Sequence, residues 1–500
     1  MLEQLTPTLI LGIVAAYFLL LVTISYFTSK DSGNANFFLA GRQSPWYLVA
    51  FGMIGASLSG VTFISVPGWV AESQFSYMQM VLGYLLGYLV IATVLMPMYY
   101  RLQLTSIYSY LDTRFGDFSY KTGASFFLLS RAIGASFRLY IVALVLQEFV
   151  MNSFQVPFWL TVLMTIVLIW IYTYRGGIKT IVWTDTLQTL CMLTAVIFTI
   201  IAISQKLDLS VSDLWVTVDE SVYSQIFFFE GGWGDAKNFF KLFLAGASMA
   251  IVMTGLDQDM MQKNLSCKTL GDAQKNMFWF SIVLVFANLL FLTLGALLFI
   301  YAGETGIEIP AQTDLLFPTI AIEHLSPAIG IVFILGLIAA AYSSADSALT
   351  ALTTSFCVDF LGFKEKEDPE VADKQKRTRF IVHLGFSLLL FVIIFAFWLV
   401  NDRAVIDQIF TVAGYTYGPL LGLYSFGFLM KHKVLDQYVP WVCILSPMLT
   451  FLLSYYSETL FFGYKFGFEL LILNGLITFL GLFSISYFDQ TDQGKDLEEV

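Results

Sequence analysis

Long apolar runs follow one another along the whole 500-residue chain, and no other feature of the sequence restricts its fold more. A helix that crosses a bilayer needs about 20 apolar residues, because lipid offers no hydrogen-bond partner to an exposed backbone. The composition agrees, since 57% of the residues are hydrophobic, 13% are charged and the mean hydropathy is +0.75. A soluble chain carries about 25% charged residues. We therefore expect an all-α integral membrane protein.

The apolar runs predict about thirteen transmembrane helices. They lie near residues 7–28, 45–67, 75–100, 119–150, 157–174, 180–204, 239–262, 276–303, 327–357, 379–400, 405–430, 438–456 and 466–488. The first run is too long for a signal-peptide core and lacks a small-residue cleavage site after it, so we expect a retained helix. The four cysteines have neither the spacing of a metal motif nor that of a disulfide framework.

Lysine and arginine in the connections alternate between the two sides of the membrane. Most of the 26 basic residues, including Lys263 and Arg379, fall on one side; the other side carries only Lys206, Lys237, Lys241, Arg403 and Lys465. Loops rich in Lys and Arg stay in the cytoplasm. We therefore expect a multi-pass protein of a bacterial cell membrane, with its N-terminus outside and its C-terminus in the cytoplasm.

The predicted helices divide into two blocks of five. Residues 37–204 hold the first block and residues 239–430 the second; because five is odd, the second block enters the membrane in the opposite orientation. Such inverted repeats are typical of secondary transporters, whose substrate site lies where the first helix of each block is broken. The remaining segments are a first helix with a cytoplasmic loop, an extracellular loop, two accessory helices and a cytoplasmic tail, at residues 1–36, 205–238, 431–488 and 489–500.

The first helix of each block is rich in small and polar residues. They are Gly52, Gly55, Ala56, Ser57, Ser59, Gly60 and Thr62 in the first block, and Gly246, Ala247, Ser248, Thr254 and Gly255, followed by Asp257 and Asp259, in the second. Their matching positions favour a broken helix at a binding site. The alternative is that small residues only let the helices pack closely.

A serine-rich segment, residues 339–347 (AAAYSSADS), lies inside the ninth predicted span. Ala340, Ser343, Ser344 and Ser347 recur at helical spacing and share one face. Serine hydroxyls together with carbonyls freed by a broken helix suit a small hard cation such as sodium, and the intramembrane carboxylates Asp346 and Asp185 would add negative charge. The alternative is that these hydroxyls bond back to carbonyls of their own helix.

Several motifs, taken in order along the chain, resemble the sodium:solute symporter family. They are residues 37–42 (FFLAGR), 110–116 (YLDTRFG), Gly176-Gly177 with Thr184-Asp185, residues 340–347 and residues 417–422 (YGPLLG), so the resemblance covers most of residues 37–430. It implies a LeuT-type fold with a 5+5 inverted repeat and sodium-coupled uptake of a small organic solute, with sodium as the coupling ion.

The resemblance also implies two sodium sites. The first consists of backbone oxygens near Gly55 and Leu58, the carbonyl of Ala340, and the hydroxyls of Ser343 and Ser344. Some members carry a second sodium at Asp185, with Ser343 and the positions of Asp346 and Ser347. The sialic-acid members have serine where Asp346 stands, which leaves open whether this position binds sodium or a proton.

The solute is indicated by Arg138, which lies deep in the fourth predicted span and two turns from Arg131. A guanidinium there suits a carboxylate that can accept two hydrogen bonds. The alternative is an ion pair of Arg138 with Glu148, Asp257 or Asp259. The sialic-acid members have an arginine at the position that resembles Arg138, and the residue types of their site match this chain at Ser59, Thr62, Phe75 and Gln79.

We therefore expect an anionic solute such as sialic acid or another carboxylated sugar. Two sodium ions would accumulate a monoanion about 10³- to 10⁴-fold, whereas one would leave about tenfold, so an anion favours a second ion. A neutral sugar, a polyol, an amino acid or a sensor role on the same scaffold stays open. Neither pore-lining rings nor a catalytic cluster is visible, so neither a channel nor an enzyme is expected. The expected partners are the solute, sodium and lipid, with no nucleic acid, and the protein is expected to be a monomer.

Overall fold

The computed structural model describes residues 6–28, 33–174, 177–364, 372–400 and 405–487. The predicted tail at 489–500, Gly176 of the double-glycine motif and the basic residue Arg403 lie outside these residues. The helices are α1 Pro7–Thr28, α2 Asn34–Leu39, α3 Trp46–Ser57, α4 Gly60–Ser73, α5 Tyr77–Val90, α6 Met96–Arg101, α7 Ser109–Arg114, α8 Asp117–Phe149, α9 Phe158–Thr173, α10 Gly177–Lys206, α11 Val211–Asp219, α12 Phe239–Ala250, α13 Gln258–Leu265, α14 Leu270–Thr305, α15 Leu316–Thr319, α16 Pro327–Ser355, α17 Ala372–Val400, α18 Val405–Thr416, α19 Gly418–Leu429, α20 Val439–Tyr455, α21 Ser457–Leu460 and α22 Leu470–Ser484.

Shorter elements extend or join these helices. Four π-helical turns occupy Ile91–Leu95, Ile251–Gly255, Ile320–His324 and Phe356–Phe360. Single 3₁₀ turns occupy Ala40–Arg42, Met151–Phe154, Gly232–Gly234, Thr313–Leu315 and Asp436–Tyr438. The strands β1 Lys433–Val434 and β2 Ser486–Tyr487 pair antiparallel, with Lys433 opposite Tyr487.

The described helices include eight that are each long and apolar enough to cross a membrane. They are Pro7–Thr28, Tyr77–Arg101, Asp117–Phe149, Gly177–Lys206, Leu270–Thr305, Pro327–Phe360, Ala372–Leu399 and Asp436–Tyr455. Two further helix pairs pass the same test only when each pair is taken together, and three shorter apolar helices lie at Phe158–Thr173, Gly418–Leu429 and Leu470–Ser484. The prediction of an all-α membrane protein is confirmed.

The two helix pairs are bent where the sequence predicts broken helices. Trp46–Ser57 and Gly60–Ser73 meet at 52°, and Phe239–Gly255 and Gln258–Leu265 meet at 63°. At the first bend Ser59 adopts an extended ψ of 177°, and at the second Asp257 adopts a ψ of 120°. A helix that ends inside the membrane leaves carbonyl groups without intrahelical donors. Both breaks therefore create polar sites in an apolar interior.

Close packing accounts for several of the small residues around these breaks. A Cβ at Gly83 in α5 would lie 2.1 Å from the carbonyl oxygen of Phe243 in α12, and a Cβ at Gly246 in α12 would lie 2.1 Å from that of Met80 in α5. A Cβ at Gly55 would lie 2.2 Å from Oγ1 of Thr189. The packing interpretation of these glycines is therefore correct alongside the broken-helix interpretation.

Three basic residues that the sequence analysis counted in connecting segments lie buried inside helices instead. Lys263 in α13, Lys241 in α12 and Arg379 in α17 are 1%, 2% and 4% exposed. Lys263 pairs with Asp185, Lys241 pairs with Glu469, and Arg379 donates to the side-chain oxygen of Asn34. Buried acceptors, and not solvent, therefore compensate these three charges.

We expect Gly246→Ala to destabilise the protein by about 1–3 kcal/mol, because the added methyl group meets a backbone carbonyl that cannot rotate away. Thermal unfolding of the purified protein in detergent measures the effect. The control is Gly385→Ala in α17, where the added methyl group meets nothing within 4 Å. Equal melting temperatures for Gly246→Ala and the control would contradict the close approach of α5 and α12.

Candidate functional site

A cavity of about 90 Å³ lies beside both helix breaks, between α3, α4, α5, α8, α12 and α18. The predicted solute ligands Ser59, Thr62 and Arg138 line it. Thr254 of the second break and Asn288 of α14 add further polar groups. On the apolar side, Tyr77, Tyr84, Tyr88 and Phe410 contribute aromatic rings. The cavity thus combines one aromatic wall with a polar wall that carries a guanidinium, which is the usual make-up of a site for a small polar organic molecule.

The two arginines of α8 have different environments. Arg131 lies 3.8 Å from Oδ2 of Asp257 and also pairs with Asp259, and all three residues are buried. In the part of the chain that the structure describes, no carboxylate forms an ion pair with Arg138, and its Nε atom is buried without a hydrogen-bond partner. The alternative that Arg138 pairs with these acids is therefore wrong. The bend before α13 brings both aspartates to Arg131 instead.

Asp257 gathers partners from several elements. Its Oδ1 atom accepts from the amide of Asp259 at 2.9 Å and so caps α13, and the hydroxyl of Tyr417 donates to its Oδ2 atom at 2.5 Å. The hydroxyls of Tyr99 and Tyr108 donate to the carbonyls of Gly255 and Leu256, each at 2.9 Å. Side chains of the protein therefore supply hydrogen-bond partners to the backbone groups of the second break.

The first break has fewer partners. Ser344 of α16 approaches it, with its Oγ atom 3.5 Å from the carbonyl oxygen of Ala56, and this is the only side-chain donor to the carbonyls of 55–58 in the described part of the chain. Ser343, one residue earlier and also buried, donates to Oδ1 of Asp185 at 2.8 Å. The structure thus brings the end of α3 next to the serines of α16. A hydroxyl and carbonyls freed by a break form an oxygen donor set that suits sodium.

The hydroxyl of Ser347 donates back to the carbonyl of Ser343 at 2.9 Å, which is the bond that the back-bonding alternative describes. Its place in a second sodium site stays a prediction. Ala340 lies one turn before Ser344 on the same buried helix, where its carbonyl can serve the site at the first break.

An ammonium group lies at Asp185, the carboxylate of the predicted second sodium site. Nζ of Lys263 lies 2.7 Å from Oδ2 of Asp185, and Asp185 and Lys263 are 0% and 1% exposed. Asp346 accepts from the hydroxyl of Tyr172 at 2.9 Å and from the amide of Ser347 at 2.6 Å. The grouping of Asp185, Asp346 and Ser347 around one ion stays a prediction, and the ammonium group of Lys263 is a cation that the prediction did not include.

Phe75 and Gln79 lie outside the wall of the cavity, although both are buried. The side chain of Gln79 accepts from the amide of Phe228 at 3.1 Å and donates to the carbonyl of Lys237 at 2.9 Å. The amide of Phe75 donates to the carbonyl of Gln225 at 3.1 Å. In this conformation both residues hold the segment 225–238 against α5, so their predicted contact with solute is not part of the geometry.

Sequence reasoning missed Lys263, Asn288 and the tyrosine wall, which is the side of the cavity formed by Tyr77, Tyr84 and Tyr88. Lys263 follows the predicted end of a span at 262 by one residue, so it was assigned to a loop. Its signal was present, however, because the segment 257–264 contains two aspartates beside a lysine with no turn residue between them. The tyrosines Tyr77, Tyr84 and Tyr88 recur along one helix, a spacing that packing alone would also produce.

Two bent helices around a buried cavity, with an oxygen-lined break and an arginine free of acidic partners, define a secondary active transporter. The chain belongs to the sodium:solute symporter family, whose sequence model matches residues 37–433. It is a multi-pass membrane protein that acts as a sodium-coupled symporter, and it is not an enzyme. The predicted family and the coupling ion are confirmed.

Known proteins agree with this assignment. The chain is 25% identical over 480 residues to the sodium/sialic acid symporter of Proteus mirabilis, which covers 93% of each chain. It is 23% identical over 419 residues to a sodium/sialic acid symporter of Aliivibrio fischeri, which covers 81% of this chain and 80% of that one. The substrate-bound, outward-open structure of a sodium-coupled sialic acid symporter matches with a TM-score of 0.80 at 19% identity, over 95% and 96% of the two chains. The fold is therefore LeuT-like.

We expect Arg131→Met to lower the free energy of unfolding by about 3–5 kcal/mol, because it leaves two buried carboxylates without their cation. The matched control is Arg138→Met on the same helix, which breaks no acidic pair and should cost about 1 kcal/mol or less. Unfolding of both variants is measured in detergent without sodium or solute. Equal losses would contradict the division of roles between the two arginines.

Proposed function

We propose that this symporter imports an anionic sugar acid of the sialic acid type together with sodium, by alternating access. The observation that supports this most is Arg138, whose guanidinium lines the cavity with no acid paired to it among the described residues. A guanidinium that protein carboxylates leave unpaired in a nonpolar site gains most from a ligand carboxylate, which accepts two parallel hydrogen bonds. The names of the bacterial relatives supply the same solute class.

Ser59 and Thr62 are proposed to bind hydroxyl or amide groups of the solute, beside the carboxylate at Arg138. Both lie at the start of α4, where the amides of the first helical turn also lack intrahelical acceptors. The tyrosine wall covers the apolar face of the solute. We propose that Phe75 and Gln79 close the site through the segment 225–238 and meet the solute only when that segment moves.

The coupling sodium is proposed to bind at the first helix break. Its ligands would be the carbonyls of Gly55, Leu58 and Ala340 and the hydroxyls of Ser343 and Ser344. The support is chemical, because these groups are neutral oxygens in a buried place where the protein supplies one weak hydroxyl contact at 3.5 Å. Sodium there would join α3 to α16 and so favour the conformation that binds solute.

We further propose that the bent and straight helices together cross the membrane thirteen times. They would form an inverted repeat of residues 37–204 and 239–430, flanked by the first helix and by the accessory helices of 431–488. The N-terminus and the loop 205–238 would lie outside the cell, and residues 489–500 in the cytoplasm. The protein would act as a monomer in the lipid of a bacterial cell membrane.

We expect Ser344→Ala and Ser343→Ala each to raise the sodium concentration for half-maximal uptake by about tenfold, which corresponds to about 1.4 kcal/mol of lost binding. The control is Ser347→Ala, since Ser347 is not among the proposed ligands of this sodium and its hydroxyl bonds to its own helix. Uptake into proteoliposomes is measured over a range of sodium concentrations, with protein abundance measured in parallel. The first site would be misassigned if both variants kept the sodium dependence of the wild type.

We expect Arg138→Lys to weaken sialic acid binding at least about tenfold, because lysine keeps the charge and loses the two-donor geometry. Calorimetric titration at saturating sodium compares sialic acid, its methyl ester, simple uronic acids and neutral hexoses. The ester serves as the control ligand, and it should bind weakly to the wild type and lose little more in the variant. A neutral hexose that binds more tightly than any acid, unaffected by Arg138→Lys, would give Arg138 a structural role and the protein a neutral solute.

A further inference from the structure

The ion pair of Lys263 with Asp185 joins the second bent helix to α10 and lies directly beside the proposed sodium site. One oxygen of Asp185 binds the ammonium group at 2.7 Å, and the other accepts the hydroxyl of Ser343 at 2.8 Å. Asp185 thus connects a buried lysine to a proposed sodium ligand.

The backbone and side chains around Lys263 hold it in place. Every residue of α13 is buried. Before it, the side-chain amide of Gln262 donates to the carbonyl of Phe38 at 2.5 Å and to Oγ1 of Thr354 at 2.9 Å. After it, Asn264 accepts from the side chain of Asn276 at 2.6 Å. Lys263 is therefore a positioned internal cation, and not a surface side chain that reaches inward by chance.

We propose that Lys263 is a tethered cation that takes the place of a second sodium ion, so that this symporter couples one sodium to each solute. A sodium bound to Asp185 would lie within a few ångströms of the ammonium group, where two like charges in a buried site repel strongly. Asp346 accepts from Tyr172 and from the Ser347 amide, whereas the ion pair of Lys263 is with Asp185. Only the electrical consequence of this inference depends on the proposed solute.

Lys263 also acts on the first site through Asp185. Because Ser343 donates its hydrogen to Asp185, the lone pairs of its oxygen stay available to a cation. Asp185 is in this sense a positioning residue for the sodium ligand Ser343, and Lys263 holds Asp185. A permanent internal cation would keep this orientation in every turn of the transport cycle without being transported.

The electrical consequence follows from the charge count. One sodium that moves with a monoanion carries no net charge. The membrane potential then adds nothing to accumulation, and a tenfold sodium gradient supports about tenfold accumulation of solute. Two sodium ions with the same anion would move one positive charge, which a potential of 100 mV would convert into about fiftyfold further accumulation.

The first experiment counts radioactive sodium bound per protein in detergent, without any solute. We expect one ion for the wild type and for Lys263→Arg, and two for Lys263→Ala, because the alanine variant frees an oxygen of Asp185. The matched control is Lys241→Ala, which removes a buried lysine paired with Glu469 elsewhere and should bind one ion. Two ions bound to the wild type, or one bound to a folded Lys263→Ala variant, would overturn the proposal.

The second experiment needs only the wild type and therefore stands if Lys263→Ala does not fold. Sialic acid uptake into proteoliposomes is compared with and without a potassium diffusion potential of about 100 mV, negative inside. We expect equal accumulation, and a rise of about fiftyfold would overturn the inference. If no acid is taken up with sodium, the proposed solute is wrong, whereas the sodium count still tests the role of Lys263.

Discussion

A polypeptide inside a membrane must satisfy each backbone group that a helix break releases, and this requirement organises the centre of the molecule. At the second break, tyrosine hydroxyls and the carboxylate of Asp257 supply the partners. At the first break, one hydroxyl of Ser344 lies at 3.5 Å from a carbonyl oxygen. The two breaks are therefore unequal: one is closed by the protein, and the other has capacity for an ion. This difference is the reason for proposing the sodium site between α3 and α16.

The same division of roles appears in the charged side chains of α8. Arg131 carries the structural task of compensating Asp257 and Asp259, which leaves Arg138 free of acidic partners in the described part of the chain. Arg131 also lines the cavity, so a reversed pairing would have moved the unpaired guanidinium two turns along α8. Selectivity at this site thus depends on acids that do not line the cavity, because they determine which guanidinium stays unpaired.

Much of this arrangement was predictable from the sequence. The apolar runs located the spans, the small residues located both bends, and the spacing of Ser343 and Ser344 placed them on one face. The sequence could not show which arginine of one helix face meets the aspartates, since that depends on the direction of the bend before α13. The sequence also led to a wrong assignment of Lys263. Hydropathy assigns a charged residue at the end of a span to a loop, whether or not a buried acid is there to pair with it.

The contacts of Gln79 could not be predicted for a different reason. Its amide bonds to segment 225–238, which is distant in the chain and follows a connection without apolar periodicity. Contacts of this kind arise from the conformation of a loop, about which neither periodicity nor motif spacing carries information. The resemblance therefore suggested a solute ligand at a position whose side chain anchors a loop in this conformation.

Asp257 holds together parts of the molecule that a transport cycle has to separate. It binds Arg131 from α8, the Tyr417 hydroxyl between α18 and α19, and the start of its own helix α13. When one of these elements moves away, the carboxylate of Asp257 loses hydrogen-bond donors. Intermediate positions of the elements therefore cost free energy, and we expect the movement to occur in one step. Water that enters the gap would supply replacement donors. The speed of this step will therefore depend on how readily water reaches one aspartate, and a hydrophobic side chain placed on that route would slow transport without touching either cargo.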